Sequence, residues 1–292
     1  MSIQWLSLLI LPLLALPAYA DSFTLGSASS FGLLGGTISN TGTSVVTGNV
    51  GATTTVSGFY PTGTATGTVY PAPSDPTVAA AYNAVFGSGG AFSTAESMTS
   101  TGTFTGTTSQ TFTANPSGYI VIASPGTIST TTGINLTFDA GSNPSPIFIM
   151  QIDGAFTVNG VLTFTLGPGV QADNIFWIVE GSTTLPAPAD ATISVGSSGP
   201  ITFDGNIISG DIFTMSAASG GSGTLAGTIN GCVFAKNANT LAGTTDVNGC
   251  ADTSAGGSGP TGGSTVPEPG SMALLGSGLI ALVRIVRRQS HN

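Results

Sequence analysis

Short apolar runs, alternating with small polar residues, recur along the middle of the chain. One unit begins with a nearly continuous apolar run at 147–152 and continues through 155–159 and 161–166, where apolar and polar residues alternate. Glycine, asparagine, aspartate or proline separates the runs, as expected for short strands joined by tight turns. Similar units return at intervals of about 26 to 30 residues. One unit cannot bury its apolar side alone, but stacked units can share a continuous core.

The repeat therefore predicts a parallel β-solenoid with about three sides per coil. An antiparallel β-sandwich is the alternative, because Asn-Gly pairs, which are typical of hairpin turns, occur at 159–160, 230–231 and 248–249.

One helix is predicted among the strands, within residues 74–87. Ser74 or Asp75 can cap its start, Pro76 suits the first turn, and Gly87 follows its end. Its apolar positions fall on one face, so we expect the helix to lie along the solenoid.

One strand of each unit carries a threonine flanked by apolar residues. These threonines, 26 to 30 residues apart, are Thr103, Thr130, Thr157, Thr184, Thr214 and Thr240. Two positions further on, where a strand again faces outward, the chain has Thr105, Thr132, Asn159 and Ser216. If the coils stack in register, these side chains form a two-column grid, spaced about 4.8 Å between coils and about 6.7 Å along a strand.

Such a grid is suited to ordering water on a rigid flat surface, because threonine is stiff at χ1 and carries no charge. The alternative is a solvated face without function, since threonine is a good strand former in any case.

The N-terminal residues 1–20 predict a cleaved signal peptide. An apolar run is followed by Ala18-Tyr19-Ala20, a small-residue cleavage site, although no Lys or Arg precedes the run. A retained membrane helix is the alternative.

The C-terminal part of the chain has three features in a fixed order. After a Gly/Ser/Thr-rich linker (251–265) come the motif Pro267-Glu268-Pro269, the apolar run 272–283 and an arginine cluster. Residues 266–292 therefore resemble the PEP-CTERM sorting signal of Gram-negative bacteria. The resemblance implies recognition by an exosortase, removal of the tail, only transient contact with the membrane, and delivery to the cell surface, to the exopolysaccharide matrix or outside the cell. An ordinary tail anchor is the alternative.

Charge and residue content argue against several classes of function. Twelve of the 13 acidic residues but only one base, Lys236, lie in residues 21–265, so no basic patch is present for nucleic acid. The single histidine, His291, lies in the tail. No zinc, calcium or nucleotide motif appears, so we expect no metal, no cofactor and no enzymatic activity. A carboxylate pair among Asp153, Asp204 and Asp211 would be the only catalytic candidate, and turn roles explain aspartates of this kind.

Cys232 and Cys250 are the only cysteines. In an exported protein they are expected to form a disulfide, which would contribute about 3 kcal/mol through loop closure. Two buried thiols are the alternative.

Several stretches over residues 24–248 occur in a recognisable order. They include SASSFGLLGGTISNTGTSVVTGNVGA (27–52), LTFDAGSNPSPIFIMQI (136–152) and GTINGCVFAKN (227–237). Their order and spacing resemble those of a microbial ice-binding protein family. The resemblance implies, for a domain over 21–250, a right-handed solenoid of roughly triangular section with a helix alongside, coils that do not stack in chain order, and ice as the partner of one flat face. Motifs of the form T-[A/G]-x-[T/N], which some members carry on that face, occur at 105–108 and 132–135. A structural or adhesive matrix protein of the same fold, without affinity for ice, is the second hypothesis.

Overall fold

Parallel strands, paired from coil to coil, make up most of the molecule. The computed structural model describes residues 23–250, except 60–62, 72–73, 117, 131–132, 160–161, 181–189, 195–200 and 217–224. In chain order the strands are β1 (Phe31–Asn40), β2 (Val45–Val46), β3 (Asn49–Ser57), β4 (Thr64–Ala65), β5 (Val69–Tyr70), β6 (Gly102–Thr103), β7 (Gln110–Thr113), β8 (Tyr119–Ser124), β9 (Ile128–Thr130), β10 (Ile134–Asp139), β11 (Ile147–Ile152), β12 (Phe156–Asn159), β13 (Leu162–Leu166), β14 (Ile175–Val179), β15 (Asp190–Ser194), β16 (Ile201–Asp204), β17 (Asn206–Ser209), β18 (Ile212–Ser216), β19 (Leu225–Asn230), β20 (Val233–Leu241) and β21 (Thr244–Val247).

Most coils contribute a strand to each of three sides, whereas the coil that contains β6 and β7 has no described strand on the second side. The first side has the order β6-β8-β11-β14-β17-β20-β1-β3-β5, and the second side has the order β9-β12-β15-β18-β20-β1-β3. Strands β1, β3 and β20 are long enough to serve both sides. The third side consists of two sheets, β13-β10-β7 and β16-β19-β21-β2-β4. Every strand pair within the described residues is parallel, so the β-solenoid prediction is confirmed and the sandwich alternative is wrong.

The coils do not stack in chain order. The last long strand, β20, pairs with β17 and β18 on one flank and with the first strand of the chain, β1, on the other. The N-terminal coils therefore extend the end of the stack that the C-terminal coil forms. Two helices, α1 (Pro76–Phe86) and α2 (Ala91–Glu96), connect β5 at one end of the stack with β6 at the other.

Helix α1 begins and ends where the sequence predicts. The Asp75 side chain accepts a hydrogen bond from the Thr77 amide at 2.8 Å, and Gly87 follows the last turn. The buried residues Val78 and Val85 face the first side. The helices cover that side and the core lies behind it, which explains why its strands are continuous apolar runs instead of alternating ones.

The remaining core lies between the three sides, around Trp177 and a cluster of phenylalanines. Cys232 and Cys250 form the expected disulfide, with their Cα atoms 4.6 Å apart. None of the helices within the described residues has the length and apolar character that a bilayer-spanning segment requires.

Candidate functional site

Seven hydroxyl side chains lie in one column across the second side. They occupy equivalent positions on seven adjacent strands, in the order Ser129, Thr157, Thr192, Thr214, Thr240, Ser39 and Ser57. At about 4.8 Å between neighbouring strands, six steps span about 29 Å. We call this set the threonine column.

The column faces outward because every member except Ser57 is flanked in sequence by buried residues. Phe156 and Val158 are buried on either side of Thr157, and Phe213 and Met215 are buried on either side of Thr214. Thr157 and Thr214 are only partly exposed because strands with similar side chains flank them. The buried neighbours anchor each strand in the core, so the column lies on a stiff support.

The hydroxyls of Thr157, Thr192, Thr214 and Thr240 make no hydrogen bond within the described part of the chain. Each can therefore both donate to and accept from molecules outside the protein. At the end of the column, the Ser57 hydroxyl instead donates to the Ile38 carbonyl at 3.1 Å.

The row next to the column, two positions earlier on each strand, is mostly small or apolar. Ile212 pairs with Ala238, Ala238 with Thr37, and Thr37 with Thr55. Asp190 is the only charged residue in this row within the described strands. The threonine column and this row therefore contain a single charged residue within the described strands.

Three of the predicted site residues, Thr157, Thr214 and Thr240, lie in the threonine column. Asn159 and Ser216 lie two positions after Thr157 and Thr214 on their strands, and the backbone of each pairs with Ser194.

Thr130 was expected in the column, and this prediction is wrong. Thr130 pairs with the buried Val158, is 2 % exposed, and has no hydrogen-bond partner for its Oγ1 within the described residues. Its neighbour Ser129 is the residue that pairs with Thr157. In this part of the stack Tyr119 pairs with Ile147, Ile128 with Phe156 and Ile134 with Leu162, each 28 positions apart, so an interval of 27 residues selects the wrong member of this strand.

Thr103 also lies elsewhere than expected. It pairs with Ala123 on the first side, in the terminal strand β6. Thr105 comes after that strand, at the end of the stack, where Gln110 accepts hydrogen bonds from its amide and hydroxyl at 3.1 and 3.3 Å. Thr132 and Thr184 lie outside the described residues.

Thr192, Ser39, Ser57 and Ser129 are column members that the sequence reasoning missed. Thr192 stands between buried Ala191 and Ile193, the same local signal that Thr157 shows. Thr192 lies 35 residues after Thr157, outside the predicted interval of 26 to 30 residues, so counting along the chain misses it. The two N-terminal serines were missed because their neighbours in the stack come from the other end of the chain.

The third side also carries threonines, but its surface is different. Thr137 lies between Thr111 and Thr165 in one sheet, and Thr202 pairs with Thr228 in the other. The polar side chains here bind one another. Asn248 donates to Asn230 at 2.6 Å, and Asn230 donates to Asp204 at 2.6 Å.

Aspartates add charge to this surface. Asp139, Asp204 and Asp246 all belong to third-side strands. Burial raises the pKa of the Asp204 carboxyl, and the hydrogen bond from Asn230 partly opposes this rise. The third side thus consists of two separate sheets. Its polar side chains hydrogen-bond to one another, and its strands carry acidic residues.

A second group of carboxylates lies beside helix α2. Burial and the nearby Glu180 raise the pKa of Glu96 to about 7, and Lys236 opposes the shift. Burial and Asp153 raise the pKa of Glu180 in turn. Within the part of the chain that the structure describes, no group of three or more His, Cys, Asp or Glu side chains is arranged to hold a metal ion.

Comparison with known proteins identifies the family. The sequence profile described as ice-binding-like matches residues 33–247, about three quarters of the chain. The chain belongs to the ice-binding-like family. A curated relative from Nostoc sp. (strain HG1), named "Ice-binding protein", is 30% identical over 273 residues, which are 91% of this chain and 87% of the relative.

Solved structures of family members have the same fold. An ice-binding protein from an Antarctic biological consortium aligns with 76% of this chain and 89% of its own length, at 27% identity and a TM-score of 0.60. An ice-binding protein from the Antarctic ascomycete Antarctomyces psychrotrophicus aligns with 76% of this chain and 96% of its own, at 26% identity and a TM-score of 0.59.

The tail carries a second recognised feature. The profile of the PEP-CTERM protein-sorting motif matches residues 265–288, which include Pro267, Glu268 and Pro269. This motif implies export to the cell envelope or surface.

Proposed function

We propose that this protein binds ice, and that the threonine column is the centre of its binding surface. The relatives supply the class of ligand, since proteins with this fold from Nostoc and from Antarctic organisms are named ice-binding proteins. The observation that carries the choice of surface is the register of the second side. It aligns four threonines, on strands β12, β15, β18 and β20, without an intervening residue of another type.

Ice presents a flat, repetitive array of water molecules, so its partner must be flat, repetitive and uncharged. Parallel strands supply the repeat, and stiff threonine side chains lose little conformational freedom on contact. Hydroxyls that have no protein partner can hydrogen-bond to ordered water, and water-mediated bonds are nearly as favourable enthalpically as direct ones. The γ-methyl groups gain from being removed from liquid water.

The third side fits ice less well for the same physical reasons. The Asp204–Asn230–Asn248 chain already uses much of its hydrogen-bonding capacity internally. Charged carboxylates hold water in arrangements set by the charge, which differ from those of an ice lattice. The gap between β13 and β16 also interrupts the strand repeat.

Export supports an extracellular role. We propose that residues 1–20 act as a cleaved signal peptide and that an exosortase recognises Pro267-Glu268-Pro269. The domain then inhibits ice recrystallisation or holds the cell and its exopolysaccharide matrix at ice. The disulfide between Cys232 and Cys250 fits an oxidising compartment.

The test compares the same substitution on two sides of the solenoid. Thr214→Tyr places a large ring in the middle of the column, between Thr192 and Thr240. Thr137→Tyr is the matched control, since Thr137 is also partly exposed and lies between Thr111 and Thr165 on the third side. Both variants are checked for folding by circular dichroism.

We expect Thr214→Tyr to raise the concentration needed to inhibit ice recrystallisation by at least about tenfold, which corresponds to a loss of about 1.4 kcal/mol. Thr137→Tyr should behave as the wild type does. Equal losses in both variants would mean that the second side is not the binding surface. A wild-type protein that leaves grain growth unaltered at micromolar concentration would instead favour a structural or adhesive matrix protein.

A further inference from the structure

The chain leaves the folded domain at the edge of the solenoid opposite the threonine column. Cys250 follows β21 on the third side and is bonded to Cys232, which directly precedes β20 on the first side. The edge between the third and first sides faces away from the second side in a three-sided coil. Any connection through the C-terminal tail is therefore made on the far side of the molecule from the proposed ice surface.

The disulfide closes a loop that contains the strands joining the N-terminal coils to the rest of the stack. We call this junction the seam. The bonded cysteines are 18 residues apart, and strands β20 and β21 lie between them. β20 joins the N-terminal coils to the others through its pairing with β1, β17 and β18. On the third side β21 makes the equivalent connection between β19 and β2.

We infer that the Cys232–Cys250 disulfide is a mechanical anchor that shields this seam from tension on the tail. When the tail is pulled, the covalent bond passes the force from Cys250 directly to Cys232, so residues 233–249 carry none of it. Without the bond, the same force acts first on β21, a strand of only four residues at the end of the described chain. That strand then peels from its neighbours, and β20 follows.

The inference rests on the proposed function in one respect. The tail must be attached to the cell or its matrix while the threonine column is attached to ice. The column reaches from β9 to β3 across the second side, so ice would hold the coils on both sides of the seam. Tension then runs across the seam, where the shielding matters.

The burial of the bond fits this role. Cys232 is fully buried and Cys250 is 7 % exposed, within the cluster of apolar residues beneath the helices. Reductants and competing thiols reach such a bond slowly, so the anchor persists outside the cell.

The test replaces ice with a covalent attachment, which keeps it independent of ice binding. The full chain is fixed to a surface through a click-reactive residue in place of Thr157 and is pulled from its C-terminus by magnetic tweezers. The variant pair Cys232→Ser/Cys250→Ser is compared with the chain that keeps both cysteines. We expect the serine variant to show an early low-force step that releases residues 233–249 and whose contour length, fitted from the force–extension curve, is about 60 Å.

The chain with the disulfide should lack that step. Val247→Ala is the matched control, because it weakens the packing of buried Val247 in β21 but keeps the covalent bond. It should also lack the step. If it shows the step, or if the serine variant does not, the anchor inference is wrong, whatever the result of the ice assays.

Should the serine variant fail to fold, the same comparison is made on one folded molecule with both cysteines, before and after reduction with dithiothreitol under load. An early step of about 60 Å that appears only after reduction supports the inference. Identical first steps before and after reduction overturn it.

Discussion

Replacing Thr130 by valine should stabilise the protein. The side chain is 2 % exposed, and its hydroxyl has no partner within the described residues. A buried hydroxyl left without a hydrogen bond costs about 1–3 kcal/mol. Valine has nearly the same shape and removes that cost.

The surroundings already accept such a side chain. In the neighbouring coils the positions equivalent to Thr130 hold Val158, Ile193, Met215 and Leu241, all of them buried. Valine would therefore extend an existing apolar row. In a domain of this size 1 kcal/mol corresponds to about 2–4 °C in Tm, so 1–3 kcal/mol should give a rise of about 2–12 °C.

The assay is equilibrium unfolding in urea together with thermal unfolding, for Thr130→Val and for Thr157→Val as its control. Thr157 points outward, so its replacement should change the unfolding free energy by less than about 0.5 kcal/mol. Thr130→Val should also retain full activity in the recrystallisation assay. A Thr130→Val protein that is less stable than the wild type, at an unchanged m-value, would refute the inward orientation of this hydroxyl.

Two further predictions concern helix α2. Because the pKa of Glu96 is raised from 4.5 to about 7 in the folded protein, the folded state binds more protons than the unfolded state between these values, so stability should fall as the pH rises from 4.5 to 7. Glu96→Gln should reduce this slope, and an unchanged pH profile of Tm would contradict the assignment. Gln151 donates to the carbonyls of Ala95 at 2.6 Å and Met98 at 2.9 Å, at the end of the helix. Gln151→Ala should cost about 1–3 kcal/mol and speed amide hydrogen exchange in α2, whereas exchange as slow as in the wild type would show that other contacts hold the helix.

Much of the fold could be read from local patterns. Helix α1 was placed by Asp75, Pro76 and Gly87, since capping and chain stiffness act over a few residues. The apolar run Ile147–Ile152 indicated a strand, and the structure places this strand between the core and the helices.

The column could be predicted only in part. Thr157 and Thr214 were found because buried residues flank each of them. Thr130 and Thr192 show where counting fails. A repeat length that is wrong by one residue turns a side chain from the outer to the inner face, so an average coil length cannot assign every member.

Sequence by itself determined that the chain forms short strands in repeated units, one helix, an exported disulfide-bonded domain and a sorting tail, because each of these depends on residues close together or on a recognisable motif. Only the tertiary structure decided which strands are neighbours. The pairing of Thr240 with Ser39, 201 positions away, arises because β20 and β1 bury apolar surface and complete their backbone hydrogen bonds together. That pairing extends the threonine column across the seam between the two ends of the chain.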